Sequence, residues 1–290
     1  MLKPILAFLL GWILVLSCSQ EETNPDLPVG VPGPNASEAV VKLLIKGEAI
    51  LPPSTRNMSD QTEGSYQDEL QLLILEKQAD DNTYIYNCHR PVEGTQGNFT
   101  VKVPNSLDGK EMKFLLFSNS KDIIGDPDQK FVVTDGTNKN EDDIRAALLL
   151  TVNTKWDPSK KIPMWAEDSF TFSAPTPGAP SAPVATLKLM RMLARVDVGL
   201  NYNGKDLNST SQELTNFKLQ KIKVYHSKDK GQLMPNTTAY ETTGTGADKV
   251  ITLKTPSIPA DGKNIAPYEI TVPAGSHASE RDVYLIEQDI

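Results

Sequence analysis

The stretch Glu69–Lys77, with the sequence ELQLLILEK, decides the fold class. Its apolar residues are nearly continuous, which predicts a β-strand buried on both faces rather than a strand with one wet side. Shorter β-rich segments surround it, separated by clusters of Gly, Asp, Asn or Pro (39–50, 83–88, 98–103, 113–118 and 130–134). Regularly spaced short strands with such turns are typical of a β-sandwich, so the sequence predicts an all-β fold.

One segment does not show the two-residue alternation of a β-strand. The stretch 140–150 reads NEDDIRAALLL, in which Asn140 can cap a helix whose first turn is acidic. Ile144, Ala147 and Leu148 would then share one face, so we predict a short helix within the N-terminal half. The same carboxylates could instead hold calcium, but they lack the alternating spacing of a calcium-binding loop.

The second half of the chain is also rich in strands. A Pro/Ala/Ser-rich stretch at 173–183 could be an exposed loop or a linker between domains. The segment that follows, 184–202, is too long for one ordinary strand and is expected to bend or to pass between domains. Further strands are predicted (217–226, 249–254, 268–272 and 282–287). The spacing fits two β-sandwiches in tandem, at 38–186 and 187–290.

The first residues carry an export signal. A short positive region that ends at Lys3 is followed by an apolar run to Leu16 and then by Ser17 and Cys18. The run is too short to span a membrane and resembles a secretory signal that ends in a bacterial lipobox. We therefore predict a lipoprotein signal peptide at 1–17, acylation of Cys18 with chains such as palmitate, and a flexible tether at 18–37. The alternative is an ordinary signal with a chance cysteine.

Composition and motifs argue against several classes of function. The 290 residues carry 37 acidic and 29 basic side chains, a net charge of −8, which argues against binding nucleic acid. No nucleophile elbow, zinc-protease motif or phosphate loop occurs, so no catalytic residue, metal or cofactor is predicted. A Cys88–His89 nucleophile pair and a distant pair of catalytic carboxylates stay open, although a structural role for Cys88 and His89 is favoured. Trp156 and Trp165 are expected in a core rather than stacked on sugar.

Two further segments carry a family resemblance. Lys161–Ala166 (KIPMWA) is followed about twenty residues later by Leu187–Val198 (LKLMRMLARVDV). Together with the lipobox, the leading strand and Ser54-Thr55-Arg56, this order and spacing resemble the fimbrillins, the major fimbrial subunit family of Bacteroidales. The resemblance covers essentially the whole mature chain and is best from 39 to about 200.

The resemblance implies a particular way of assembly. A fimbrillin is a two-domain, transthyretin-like β-sandwich that reaches the outer membrane as a lipoprotein, where an arginine-specific protease removes the first strand. The emptied groove then accepts a strand from the next subunit in a cell-surface fimbrium. In this chain the cut is expected between Arg56 and Asn57, which follow a Pro-Pro-Ser-Thr loop open to a protease. An uncut surface arginine is the alternative.

The leading strand, 39–50, is the candidate for exchange. Its alternation places one apolar set on each face, so we expect it to be inserted into a core (Val41, Leu43 and Ile45 on one side, Val40 and Leu44 on the other). The best candidate for the donor strand lies at the C-terminus, where a segment can leave its own domain at low cost (Val283, Tyr284, Leu285 and Ile286). An ordinary last strand of the C-terminal domain is nearly as well supported.

Three functions follow from these observations. The favoured one is a structural, non-enzymatic subunit of a fimbria or pilus that supports adhesion, with other subunits and the protease as its partners. The second is a tip or accessory adhesin of the same architecture that binds a host protein or glycan. The third is an unrelated surface lipoprotein, such as a glycan-binding module or a hydrolase.

Overall fold

The computed structural model describes a defined part of the chain (residues 38–46, 69–79, 83–95, 98–133, 137–153, 155–157, 160–175, 183–198, 201–202, 205–206, 220–244, 249–254, 261–271 and 280–286). Its first strands are β1 (Glu38–Lys46), β2 (Gln71–Lys77), β3 (Tyr84–Pro91), β4 (Glu93–Thr95), β5 (Asn98–Pro104) and β6 (Glu111–Ser118). Three short helices follow, α1 (Lys121–Ile124), α2 (Pro127–Phe131) and α3 (Glu141–Ala147).

The described elements that follow α3 are strands and one 3-10 turn, Thr237–Ala239. The strands are β7 (Leu149–Thr151), β8 (Met164–Thr171), β9 (Ala185–Lys188), β10 (Met190–Arg191), β11 (Leu193–Val198), β12 (Asn201–Tyr202), β13 (Lys205–Asp206), β14 (Lys221–Val224), β15 (Lys230–Gln232), β16 (Tyr240–Thr243), β17 (Val250–Leu253), β18 (Tyr268–Thr271) and β19 (Glu280–Ile286). The predicted all-β fold is confirmed.

Two sheets form a sandwich in the first 191 residues. Sheet A has the order β4-β5-β1-β9, and sheet B has the order β10-β8-β6-β2-β3. Apolar side chains from the facing sides of both sheets form the first core (Ala39, Val41, Leu43, Ile45, Leu72, Ile74, Phe99, Val101, Val103, Phe114, Leu116, Ala166 and Leu187 among them). The predicted sandwich is therefore present in this part of the chain.

Sheet B is covered on its other face as well. Leu73 and Leu75 of β2 alternate with the residues that face the first core, and they pack into a second core. The three helices and a later segment, 233–234, close that second core. The prediction of a strand buried on both faces at 69–77 is confirmed, because sheet B is the middle layer between two cores.

The helix predicted at 140–150 is confirmed as α3, although it ends at Ala147 and Leu149–Thr151 form strand β7. The side chain of Asn140 accepts a hydrogen bond from the backbone N–H of Asp143 at 2.9 Å, and three carboxylates stand in the first turn. Both features satisfy or stabilise the free N–H groups at the start of a helix. Ile144 and Leu148 point into the second core, as the spacing predicts.

The strand predicted at 130–134 is wrong. Residues 127–131 form helix α2, and Val132 makes only a single bridge, to Asn138. The physical reason is the helix start: the side chain of Asp126 accepts the N–H groups of Asp128 and Gln129, and Pro127 fits the first helical position. Phe131 then enters the second core, which explains the apolar run that looked like a strand.

The long segment 184–202 bends, as predicted. Strand β9 pairs with β1 in sheet A, and β10, two residues further on, pairs with β8 in sheet B. Strand β11 pairs with neither sheet but with β19, near the C-terminus. The segment therefore crosses from one layer of the sandwich to the other.

The later part of the chain consists of two-stranded pairs, β14 with β18, β16 with β17 and β12 with β13. Strand β15 pairs with β7, so residues 230–232 join residues 149–151 of the first half. The domain boundary after residue 186 stays a prediction. Among the described residues, no helix is both long and apolar enough to cross a membrane.

Candidate functional site

Strand β1 is the first described element, and its position is unusual for a leading strand. It pairs antiparallel with β5 over six residues, from Glu38 to Leu43, and parallel with β9 over four, from Leu43 to Lys46. Strand β2, the next described element, belongs to the other sheet. Strand β1 therefore lies between two strands that come from residues 98–104 and 185–188, and among the described strands it does not pair with β2.

The inward face of β1 fills a groove in the first core. Ala39, Val41, Leu43 and Ile45 are buried there. The walls are the inward side chains of the flanking strands (Phe99, Val101, Val103, Ala185 and Leu187). Each fully buried Val, Leu or Ile contributes about 1.5–3 kcal/mol. Removing β1 would leave an apolar trough and two edges of unpaired backbone groups, which bind a matching strand.

The structure confirms the alternation predicted for β1 but not its burial on both faces. Val41, Leu43 and Ile45 face the core, whereas Val40 is 36% exposed and Leu44 is half-buried. The expectation that both faces lie in a core is wrong, because sheet A is an outer layer of the sandwich. The outward face of β1 is therefore not part of a core and is partly exposed.

The remaining predicted site residues divide into two groups. Cys18, Arg56 and Asn57 lie outside the described residues, as do residues 47–50 and 176–182. Val283, Tyr284, Leu285 and Ile286 lie on β19, which pairs antiparallel with β11. In this structure β19 thus has a partner strand within its own chain, and its role as a donor stays a prediction.

A buried ionic cluster, which sequence reasoning missed, lies on the other side of sheet B. Arg145 of α3 is 0% exposed. Its guanidinium donates to Glu141 Oε1 at 2.6 and 3.0 Å, to Glu167 Oε2, and to the carbonyl oxygen of Pro235 at 2.7 Å. Tyr240 donates from its hydroxyl to Glu167 Oε1 at 2.6 Å. The cluster therefore joins α3, β8 and the segment 235–240.

Charges in this cluster are balanced. Lys113 donates to Glu141 Oε2 at 2.7 Å, so two basic side chains face two carboxylates. Burial opposes the charge of Arg145, but the nearby Glu167 carboxylate outweighs it and raises the pKa of the guanidinium above its ordinary value. Burial likewise opposes the charge of Glu167, yet Arg145 and the Tyr240 hydroxyl hold the pKa of that carboxyl below its ordinary value. Arg145 and Glu167 therefore stay ionised near neutral pH.

The i,i+4 spacing of Glu141 and Arg145 was the one sequence signal for this cluster, because such pairs meet on a helix surface. The signal did not indicate burial. The carboxylate of Glu167 is held by Arg145 and Tyr240, so it is a structural anion rather than a proton donor. The cluster therefore has a structural role, which is to attach α3 to β8 and to the segment 235–240.

Cys88 and His89 do not form a nucleophile pair. In β3 they pair with Ile74 and Leu73, which face the first and second cores respectively, so the two side chains point to opposite sides of sheet B. Burial raises the pKa of the Cys88 thiol to about 11 and lowers the pKa of His89. Cys88 is therefore a protonated thiol packed against the first core.

The tryptophans lie as predicted. Trp165 is buried in the second core, with its ring 6.0 Å from that of Tyr240. Trp156 packs against Ile162 and Leu193 in a small third cluster. Within the described residues there is no group of three or more His, Cys, Asp or Glu side chains that could hold a metal ion.

Comparison with known proteins finds distant structural likeness only. No family model and no curated protein matches the chain. A proposed cell adhesion protein of Parabacteroides distasonis is similar at 14% identity and a TM-score of 0.43, over 87% of this chain and 71% of that one. A second such protein of that organism (13%, 0.40, 83% and 72%) and a proposed adhesin of Bacteroides ovatus (9%, 0.36, 88% and 74%) are also similar. At these values the likeness assigns no function.

Proposed function

We propose that this chain is a structural subunit of a cell-surface fimbria that assembles by exchange of strand β1. The observation that carries the proposal is the seating of β1 between β5 and β9, away from its neighbour in sequence. A strand held in this way can be withdrawn without unravelling a hairpin. The groove that it leaves keeps both walls, because they belong to other parts of the chain.

The energetics favour replacement over an empty groove. Three buried β-branched or leucine side chains and one alanine leave the core with β1, at about 1.5–3 kcal/mol for each of the larger three. The backbone groups of β5 and β9 lose their partners at the same time. A strand from a second subunit with the same apolar alternation restores both the buried apolar contacts and the backbone hydrogen bonds. A cleaved subunit is therefore expected to bind a second copy of itself.

The connection between β1 and β2 supplies the place for the cut. It includes Arg56, and Asn57 would begin the mature chain after cleavage by an arginine-specific protease. The same cut removes Cys18 with its lipid, so the subunit leaves the outer membrane when it becomes competent to assemble. The role is non-enzymatic, and adhesion follows from the filament at the cell surface.

The test is assembly of the purified, unacylated precursor after limited digestion with an arginine-specific protease. We expect a subunit that begins at Asn57 and ladders that resist SDS, since a strand buried in a partner's core dissociates slowly. Arg56→Ala should abolish the cut and the ladders, whereas Arg191→Ala, on β10 of sheet B, should leave both unchanged. Filament subunits that begin at Cys18, or ladders formed by Arg56→Ala, would contradict the proposal.

The donor segment needs its own variant. Deletion of 282–290 should give a folded, cleavable monomer that does not extend, if these residues are the donor strand. Normal polymerisation of this truncated chain would exclude β19 as the donor and leave the role of β1 intact.

A further inference from the structure

The outward face of sheet A concentrates positive charge. Residues that pair across strands point to the same side of a sheet, so the registers of β1, β5 and β9 place four lysines together (Lys42, Lys46, Lys102 and Lys188). Val40 and Leu44 lie between them on β1. We call this surface the basic face.

These lysines carry free charge. None of the four has a carboxylate partner among the described residues. Of the two acidic residues at the rim, Glu38 is paired with Arg90 at 2.8 Å and Glu93 lies at the edge, on β4. Some other exposed lysines of the described fold are paired, for example Lys221 with Glu269 and Lys254 with Glu241. The basic face differs because the strand registers bring four lysines without a carboxylate partner onto one surface. The basic face is therefore a distinct surface of a chain whose net charge is −8.

The geometry of the face fits a flat anionic partner. The lysines lie on three adjacent strands about 4.8 Å apart, and Lys42 and Lys46 are about 13 Å apart along β1. Lys102 is exposed, whereas Lys42, Lys46 and Lys188 are half-buried. Lysines can pack their apolar stems along a sheet in this way while their charged ends stay in water. Lysine is a point charge, and its hydrogen bonds have less fixed directions than those of arginine. A phosphate-rich lipid surface does not require fixed directions, so it suits an array of lysines.

We propose that the basic face docks the precursor against an anionic lipid surface through phosphate headgroups. Two features favour a membrane over other anions. Two of the four lysines lie on β1, which begins only 20 residues after Cys18. Even a fully extended connection would therefore hold the basic face within ~70 Å of the lipid anchor. The acidic remainder of the chain is repelled by the same surface, which fixes the orientation.

The proposal rests on the lipid-anchored precursor of the proposed function and adds a step to it. Cleavage after Arg56 removes the acyl chains and, with β1, both Lys42 and Lys46. One cut therefore ends two attachments at once, and neither attachment alone has to be strong. The released subunit keeps only Lys102 and Lys188 on that face.

Vesicle binding by the unacylated chain from Ser19 to Ile290, which retains every described residue, tests the docking without the lipid. We expect binding to vesicles of phosphatidylglycerol mixed with phosphatidylcholine, no binding to phosphatidylcholine alone, and loss of binding as salt is added. Each lysine near an anionic surface strengthens binding about fivefold, so the double variant Lys42→Gln/Lys46→Gln should bind about 25-fold more weakly.

The matched control is Lys221→Gln/Lys223→Gln, which removes the same charge from an exposed strand whose lysines are paired with Glu269. It should bind the vesicles as well as the unaltered chain does. Equal binding by both double variants, or no binding by the unaltered chain, would overturn the proposal. So would capture by a sulfated polysaccharide without vesicle binding, or salt-sensitive dimers that Lys42→Gln/Lys46→Gln abolishes, since these indicate a glycan or a second copy.

Strand exchange is read separately, from the SDS-resistant ladders. Loss of vesicle binding with normal ladders overturns only the docking, and normal binding without ladders overturns only the assembly. Circular dichroism and the melting temperature of both double variants confirm that all compared chains are folded.

Discussion

Replacing Arg145 by methionine tests whether the buried ionic cluster anchors the later segment to the first half of the chain. The change keeps most of the side-chain volume but removes every donor that Arg145 gives to Glu141, Glu167 and Pro235. Two carboxylates then stay in a buried site with only Lys113 and Tyr240 as partners. Breaking a buried ion pair from one side costs about 3–5 kcal/mol.

The assay is urea unfolding at neutral pH, followed by circular dichroism and by tryptophan fluorescence, since Trp165 lies beside Tyr240. Lys221→Met is the matched control, because its pair with Glu269 is 61% exposed on the lysine side and is expected to contribute little to stability. Adding Glu167→Gln to Arg145→Met should recover part of the loss, because it removes one of the uncompensated buried charges.

The pH dependence provides a second check on the same cluster. The folded pKa of Glu167 lies below its ordinary value of 4.5, so the carboxylate contributes stability that is present above about pH 4.5. That contribution is lost as the pH falls through the folded pKa. In Arg145→Met, the loss of stability as the pH falls should be smaller than in the unaltered chain. If Arg145→Met lowers the free energy of unfolding by less than about 1 kcal/mol at neutral pH, or if Glu167→Gln gives no recovery, the charges of the cluster do not depend on one another as described.

Three further outcomes follow from the fold. Val41→Asp should unfold the chain or lower its melting temperature steeply, whereas Val40→Asp, one residue away on the outward face, should change it little; similar effects would show that β1 is seated differently. Cys88 should react slowly with iodoacetamide at neutral pH, and its rate should rise until the pH approaches 11, where burial has placed the pKa of the thiol; fast reaction at pH 7 would contradict that burial. Asn140→Ala should lower the free energy of unfolding by about 1 kcal/mol through loss of the α3 cap, and Asn140→Asp should retain it.

The sequence was sufficient to predict the elements whose structure depends on residues close by in the chain. The run at 69–77 could be predicted as a two-sided strand because both of its faces are apolar, and α3 because Asn140 and three carboxylates mark its start. Helix α2 was missed because the apolar run Phe131-Val132-Val133 at its end resembles a strand, and the Asp126-Pro127 start was the stronger signal.

Long-range contacts could not be predicted in the same way. Arg145 looks like an exposed helix residue, and its partners Glu167 and Tyr240 are 22 and 95 positions away. The half-exposed outer face of β1 depends on which layer the strand joins, and the pairing of β1 with β9 joins residues more than 140 positions apart. Of the candidate site, the sequence predicted the inward residues of β1 but not the strands that flank it.

The way in which the second core closes has a consequence for the order of folding as the chain is synthesised. The buried residues of the first core end at Leu189, so that core can form before the later segment has been made. The second core also needs Leu233 and Met234, and Arg145 needs the carbonyl of Pro235. A chain that emerges N-terminus first therefore passes through a stage with one face of sheet B and a buried arginine site uncovered. At this stage the uncovered apolar surface gives chaperones the most to bind.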